Sequence, residues 1–120
     1  IQGPNSAVVV PLLVKTEMLR ADAPTFMPNI TIPILINNQP GLYTGPILNN
    51  LPHGEGIFRS DIGNVYAGNF DHGVRQGFGK LTTSKSTYIG EWYQDMRHGY
   101  GKYTSDAVYW EGVWEFDNFR

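Results

Sequence analysis

The stretch "YIGEWYQDMRHGYGKY", residues 88–103, decides the fold because its pattern of aromatic residues and glycines recurs along the chain. Counted from Tyr88 as position 0, glycine stands at +2, +11 and +13, and aromatic residues stand at +4 and +15. The same positions counted from Tyr66 and from Tyr43 hold glycine or a large apolar residue, and a partial fourth copy opens at Trp110. The starts lie 23, 22 and 22 residues apart. Such a period is typical of a repeat protein.

Each copy predicts one β-hairpin. Side chains alternate between the two faces of a strand, so positions 0, +2 and +4 share a face, and so do +11, +13 and +15. The polar segment between them, residues 93–98 in the third copy, is suited to a turn. We expect each aromatic ring to lie over the bare backbone of the glycines. An isolated hairpin is marginally stable, so the units should stack edge to edge.

The copies "YAGNFDHGVRQGFGKL" and "YIGEWYQDMRHGYGKY" resemble MORN (membrane occupation and recognition nexus) repeats, whose pattern is Y-x-G-x-W followed by G-x-G. The resemblance covers residues 43–120, as repeats 43–65, 66–87 and 88–109 with a partial repeat at 110–120. It implies an all-β fold, a single-layer antiparallel sheet or solenoid of stacked β-hairpins. Pro46 in the first copy cannot donate a ladder hydrogen bond, so we expect this copy to form the capping edge. The fourth copy stops at Arg120, and we expect further repeats or a frayed last strand there.

Residues 1–42 lack the pattern and predict an extended, proline-rich apolar arm, with one short helix allowed at residues 15–22. Residues 29–37 predict a strand with one apolar face, and Pro33 favours an edge or a groove. Two locations stay open for this arm: over the aromatic face of its own hairpins as a second layer, or on a partner protein. The candidate protein-binding residues of the arm are Ile30, Ile32, Ile34 and Ile36.

Composition excludes several classes of function. The net charge is −2 and no basic stripe exists, which argues against nucleic acid as a partner. The absence of cysteine excludes disulfides and thiolate metal sites. The longest apolar runs are broken by proline and are too short for a transmembrane helix.

No catalytic or cofactor pattern stands out. His53 and His98 share position +10, but Gln76 occupies that position between them, so we interpret them as turn residues rather than metal ligands. Neither a nucleophile elbow nor a phosphate-binding loop is present. We therefore expect no enzymatic activity, no cofactor and no metal.

The aromatic row is the candidate protein-binding face, either as core packing or as a trough for an extended peptide. The resemblance implies a scaffold or interaction subunit that binds protein partners in a cytoplasmic, cytoskeletal or ciliary assembly. An organelle- or membrane-associated complex, a phosphoinositide-docking module and the regulatory region of a longer enzyme stay as alternatives. The candidate lipid-binding cations are Lys80, Lys85, Arg97 and Lys102. The candidate aromatic face comprises Tyr66, Phe70, Tyr88, Trp92, Trp110 and Trp114.

Overall fold

The computed structural model describes residues 25–120, which form one antiparallel sheet. The candidate helix at 15–22 and the arm before residue 25 lie outside the described residues. Within residues 25–120 no helix is long and apolar enough to cross a membrane. The strands are β1 (Phe26–Ile36), β2 (Gln39–Leu48), β3 (Leu51–Pro52), β4 (Gly54–Ser60), β5 (Val65–Asp71), β6 (Val74–Thr82), β7 (Ser86–Tyr93), β8 (Met96–Ser105), β9 (Tyr109–Glu115) and β10 (Asn118–Phe119).

Strands follow one another in chain order across the sheet, with the short β3 pairing only with β2. This meander confirms the predicted single-layer stack of hairpins. Each repeat contributes one hairpin in the same register: Gly90 pairs with Gly101 in the third copy, and Gly68 pairs with Gly79 in the second. The turn between β7 and β8 has two residues with positive φ, as a tight hairpin turn requires.

The two faces of the sheet differ sharply in burial. We call the face that carries Tyr43, Tyr66 and Tyr88 the inner face and the opposite one the outer face. These three tyrosines are at most 1 % exposed. The glycine at +13 lies directly beneath each ring: a Cβ on Gly101 would collide with the ring of Tyr88. The predicted packing of an aromatic ring over bare backbone is confirmed.

The glycine at +11 does not follow the predicted alternation. Gly99 has φ +104, and a Cβ there would meet Glu91, whose side chain belongs to the outer face. Gly77 has the same conformation, with φ +93. The register shifts opposite these positions, between Gly90 and Trp92 in the third copy. The prediction that +11 and +13 share a face was therefore wrong, because a bulge with positive φ reverses the direction of the first glycine.

The described part of the arm extends the sheet and does not cover it. Strand β1 pairs along β2, with Ile32 opposite Tyr43, and it is the first strand in the sheet order. Ile36 is buried, while Ile30, Ile32 and Ile34 pack half-buried against the core. The alternation predicted for residues 30–36 is confirmed. The alternative that these residues cover the inner face as a second layer was therefore wrong. Pairing at the sheet edge satisfies their backbone hydrogen bonds in addition to burying their isoleucines.

The expected capping role of Pro46 was also wrong. The first repeat lies inside the sheet, and β1 with its two prolines forms the edge instead. Pro46 is tolerated there because β4 pairs with β2 only as far as Thr44. The carbonyl oxygen of Pro46 still accepts hydrogen bonds from the hydroxyl of Tyr43 and the backbone N–H of His53.

Candidate interaction surfaces

A ladder of aromatic rings runs along the inner face. Phe70 packs between Tyr43 and Tyr66, with ring centroids 5.1 and 5.0 Å away. Trp92 packs likewise between Tyr66 and Tyr88, at 5.3 and 5.2 Å. The interplanar angles of these pairs lie between 81° and 88°, the edge-to-face arrangement that aromatic quadrupoles favour. Each ring at +4 is therefore shared by its own repeat and the preceding one.

The polar atoms of the ladder have regular partners. The hydroxyl of Tyr88 donates to the carbonyl oxygen of Glu91 at 2.9 Å, and the two preceding tyrosines make the same bond three residues on, at 2.6 and 2.8 Å. The indole N–H of Trp92 donates to the carbonyl oxygen of Gly79 at 3.2 Å. Burial raises the pKa of Tyr88 to about 12. The ladder thus carries buried polar groups without leaving these donors unsatisfied.

An ion pair connects the second repeat to the third. The Nε of Arg75 lies 3.1 Å from Oδ1 of Asp95, and its NH2 group donates to the carbonyl oxygen of Asp95 at 2.7 Å. Two further bonds join the backbone N–H of each residue to the other, through Oδ1 of Asp95 and the carbonyl oxygen of Arg75. The guanidinium also lies 4.5 Å from the ring centroid of Trp92. We call this set of contacts the Arg–Asp clasp.

The clasp recurs one repeat later. Arg97 and Asp117 make the same contacts, and the guanidinium of Arg97 lies 4.7 Å from the ring of Trp114. At the first junction Pro52 and Gly73 occupy the two positions and share one backbone hydrogen bond of 2.9 Å. Sequence reasoning missed the clasp, although its arginines and its aspartates each recur 22 residues apart at positions +9 and +7. The period alone does not reveal that +9 contacts +7 of the next repeat.

The structure brings the predicted aromatic residues together on the inner face, mostly as core. Five of them are at most 4 % exposed, so their own neighbours already cover most of the row. The exception is Trp110, which is 42 % exposed and stacks between Tyr103 and Phe119, with centroids 5.5 and 5.8 Å away. The five buried residues are Tyr66, Phe70, Tyr88, Trp92 and Trp114.

A groove of about 300 Å³ remains open on the inner face. Phe58, Leu81 and Tyr103 are among its apolar lining, while Arg75 and Asp95 are among its polar lining. Because these two charges already neutralise each other, they offer no free cation to an anionic ligand. The groove can accommodate an apolar side chain.

The outer face exposes large apolar side chains in a regular arrangement. Phe78 and Tyr100 both occupy position +12 and are 57 % and 54 % exposed. Val113 pairs with Tyr100 across strands β8 and β9 and is 55 % exposed. Leu42 extends the exposed set towards the first repeat. Nothing within residues 25–120 packs over this face as a second layer.

Charges of both signs lie among these apolar residues. Glu91 pairs across strands with Phe78, and Lys102 pairs with Glu111. Glu111 accepts hydrogen bonds from the hydroxyls of Tyr100 and Tyr109, each at 2.6 Å. These bonds lower the pKa of Glu111. The outer face therefore carries exposed apolar side chains interspersed with charges of both signs.

The residues at +10 connect consecutive turns. Nδ1 of His98 accepts a hydrogen bond of 3.1 Å from the backbone N–H of Phe116, and Oε1 of Gln76 accepts one of 2.9 Å from Gln94. The structure does not bring His53 and His98 together, since each serves its own junction.

Comparison with protein-family models identifies MORN repeats at residues 41–65, 66–87 and 88–106. These matches span more than half of the 120 residues. The partial copy from Trp110 lies beyond them, yet Trp114 packs against Tyr88 at 5.3 Å as the earlier rings do. The curated proteins compared with the chain include no match. With three consecutive matches and a sheet built of the corresponding hairpins, the chain belongs to the MORN repeat family.

Proposed function

We propose that this chain is a non-catalytic scaffold that binds other proteins through the faces of its sheet and its apolar arm. The observation that carries the proposal is the outer face, where large apolar side chains are exposed and no other part of residues 25–120 packs over the sheet. Large apolar side chains exposed together on one face, with polar residues around them, mark interaction sites. Exposed aromatic residues also dominate binding energy at protein interfaces.

The outer face suits a protein partner better than an anionic membrane. Lys80 and Lys102 lie on this face, but Glu111 lies opposite Lys102. Arg97, a third candidate for lipid binding, is already paired with Asp117. Attraction to an anionic membrane is worth only about 1 kcal/mol per cation near the surface, so few and partly neutralised cations give weak binding.

The inner groove and the β1 edge provide a second contact. The groove is large enough for a side chain and is lined in part by apolar residues. Strand β1 is the first strand of the described sheet, and apart from Pro28 and Pro33 its edge is of the kind that an extended peptide can join. The proposed partners are subunits of a cytoplasmic cytoskeletal or ciliary assembly, in line with what the family resemblance implies.

The test compares two double variants of the tagged protein, each expressed in cells that naturally produce the protein. Phe78→Lys with Tyr100→Lys places two charges among the exposed apolar side chains of the outer face. The control, Thr82→Lys with Thr104→Lys, adds the same charge on the same two strands and the same face, but away from those side chains. Quantitative mass spectrometry of the co-purified proteins should show partners that are lost only with the first variant. Equal recovery with both variants would contradict the proposed surface.

The cellular location of the protein is tested by detergent extraction of the same cells. A cytoskeletal subunit should remain in the insoluble fraction, and the Phe78→Lys, Tyr100→Lys double variant should move to the soluble fraction. Complete extraction of the unmodified protein would argue against a cytoskeletal assembly. Salt-sensitive binding to anionic liposomes would instead favour the lipid-docking alternative.

A further inference from the structure

Three potential metal ligands converge where the first repeat meets the second. His53 lies between β3 and β4, Asp71 ends β5, and His72 follows in the turn with φ 48°. One ligand atom from each lies within 4.8 Å of the others. Nδ1 of His53 is 3.4 Å from Oδ1 of Asp71, and Nδ1 of His72 is 2.5 Å from the same oxygen. The two imidazole rings lie edge to face with centroids 4.9 Å apart.

This junction differs from the other two in how its +10 residue is used. Gln76 and His98 accept backbone hydrogen bonds of 2.9 and 3.1 Å from the next turn. The corresponding bond, from the N–H of His72 to Nδ1 of His53, is 3.4 Å and is the longest of the three. Nδ1 of His53 thus presents its lone pair to a weakly held backbone N–H. It also faces the Asp71 carboxylate at 3.4 Å, whose Oδ1 already contacts His72.

A divalent cation can bind here, because the imidazole lone pair and the carboxylate can both donate to it, and the ion would replace only the long hydrogen bond from the N–H of His72. In a tetrahedral zinc site with bonds of roughly 2.0–2.1 Å, neighbouring ligand atoms lie about 3.3 Å apart. The atoms of His53 and Asp71 already have this separation. The contact between His72 and Asp71 must open by less than about 1 Å to reach the spacing of that geometry. The side chain of His72 is 63 % exposed and free to turn.

We propose that Nδ1 of His53, Oδ1 of Asp71 and Nδ1 of His72 bind one Zn²⁺ ion, with water as the fourth ligand. Two imidazoles and one carboxylate suit zinc, whereas Mg²⁺ and Ca²⁺ prefer oxygen ligands alone. The ion would join the first repeat to the second. This is the junction in which Pro52 and Gly73 replace the Arg–Asp clasp.

Titration calorimetry of the full chain with Zn²⁺ tests the proposal, with Mg²⁺ as the hard-cation control. We expect one Zn²⁺ per chain and no binding of Mg²⁺. His53→Gln removes a ligand while keeping an acceptor that the chain itself uses at Gln76. His98→Gln makes the same change at the equivalent position of a junction without the cluster. The first variant should weaken Zn²⁺ binding at least about tenfold, and the second should leave the affinity unchanged.

His72→Asn gives an independent variant, since asparagine tolerates positive φ and occupies turn positions elsewhere in the chain, such as Asn37. It should also weaken Zn²⁺ binding at least about tenfold. Thermal melts without metal establish that each variant folds, and added Zn²⁺ should raise the Tm of the unmodified chain and of His98→Gln only. Equal Zn²⁺ affinity in His53→Gln and His98→Gln, or no Zn²⁺ binding by the unmodified chain, would overturn the proposal.

Discussion

Gly90→Val tests how the aromatic layer depends on bare backbone. A Cβ on Gly90 would lie 2.6 Å from the carbonyl oxygen of Tyr100 and 2.7 Å from the hydroxyl of Tyr88. Because one of these atoms is backbone, no rotamer change relieves the contact, and strands β7 and β8 must separate locally. Ile89→Val, one residue away on the outer face, removes a single methylene from a side chain that is 37 % exposed.

The magnitude follows from three contributions. Overpacking costs about 1–3 kcal/mol, and a contact with backbone places Gly90→Val near the upper end. Displacing Tyr88 weakens its hydrogen bond to Glu91, which contributes about 1 kcal/mol. The greater strand propensity of valine offsets up to about 1 kcal/mol. We therefore expect Gly90→Val to lower the free energy of unfolding by about 3 kcal/mol, and Ile89→Val by no more than about 0.5 kcal/mol.

Urea denaturation monitored by tryptophan fluorescence measures both values, because Trp92 and Trp114 are buried beside the changed position. The midpoint should fall clearly for Gly90→Val and remain close to that of the unmodified chain for Ile89→Val. Equal losses for the two variants would refute the assignment of Gly90 to the inner face. A smaller loss in Gly90→Val than in Ile89→Val would refute the packing argument as well.

Three further changes test the contacts between repeats. Arg75→Met should cost about 2–4 kcal/mol, because it leaves the mostly buried carboxylate of Asp95 unpaired; a loss below that range in urea denaturation would show that the clasp adds little. Trp92→Phe should cost about 1 kcal/mol through the lost indole hydrogen bond, since Phe70 fills the same position in the preceding repeat; no change in the midpoint would contradict this. Tyr88 has a pKa of about 12 when folded and about 10 when unfolded, so its contribution persists below pH 10 and is lost as pH rises towards 12. Tyr88→Phe should therefore make the free energy of unfolding fall less steeply with pH between about 10 and 12. An unchanged pH dependence would count against the raised pKa of Tyr88.

The repeat, its period and the orientation of its aromatic residues were predictable from the sequence. Tyr88, Trp92 and Gly101 obey strict alternation, which regular strands impose on any side chain. Gly99 escaped the same reasoning because its positive φ reverses the direction that alternation assigns to it. Glycine at a fixed position indicates either missing volume or an unusual dihedral angle, and the sequence does not distinguish between them.

The contacts between repeats were less predictable than the repeats themselves. Arg75 and Asp95 stand 20 residues apart in different hairpins, so neither strand alternation nor local turn chemistry links them. The cluster of His53, Asp71 and His72 was missed for a similar reason, because His72 stands at position +6 and the repeat does not align it with His53 at +10. The edge position of β1 was not predictable either, because an alternating apolar pattern does not distinguish a strand that extends the sheet from one that covers it.

The shared rings of the ladder also determine how this array loses its structure. Since Trp92 contacts Tyr66 of the preceding repeat as well as Tyr88 of its own, part of the stabilisation that it provides belongs to the junction between them. An array coupled only through nearest neighbours behaves as a one-dimensional cooperative system, in which one weak coupling separates the whole into independent blocks. Damage at a single ring would therefore weaken one junction more than either hairpin, and would favour separate melting of the segments on its two sides.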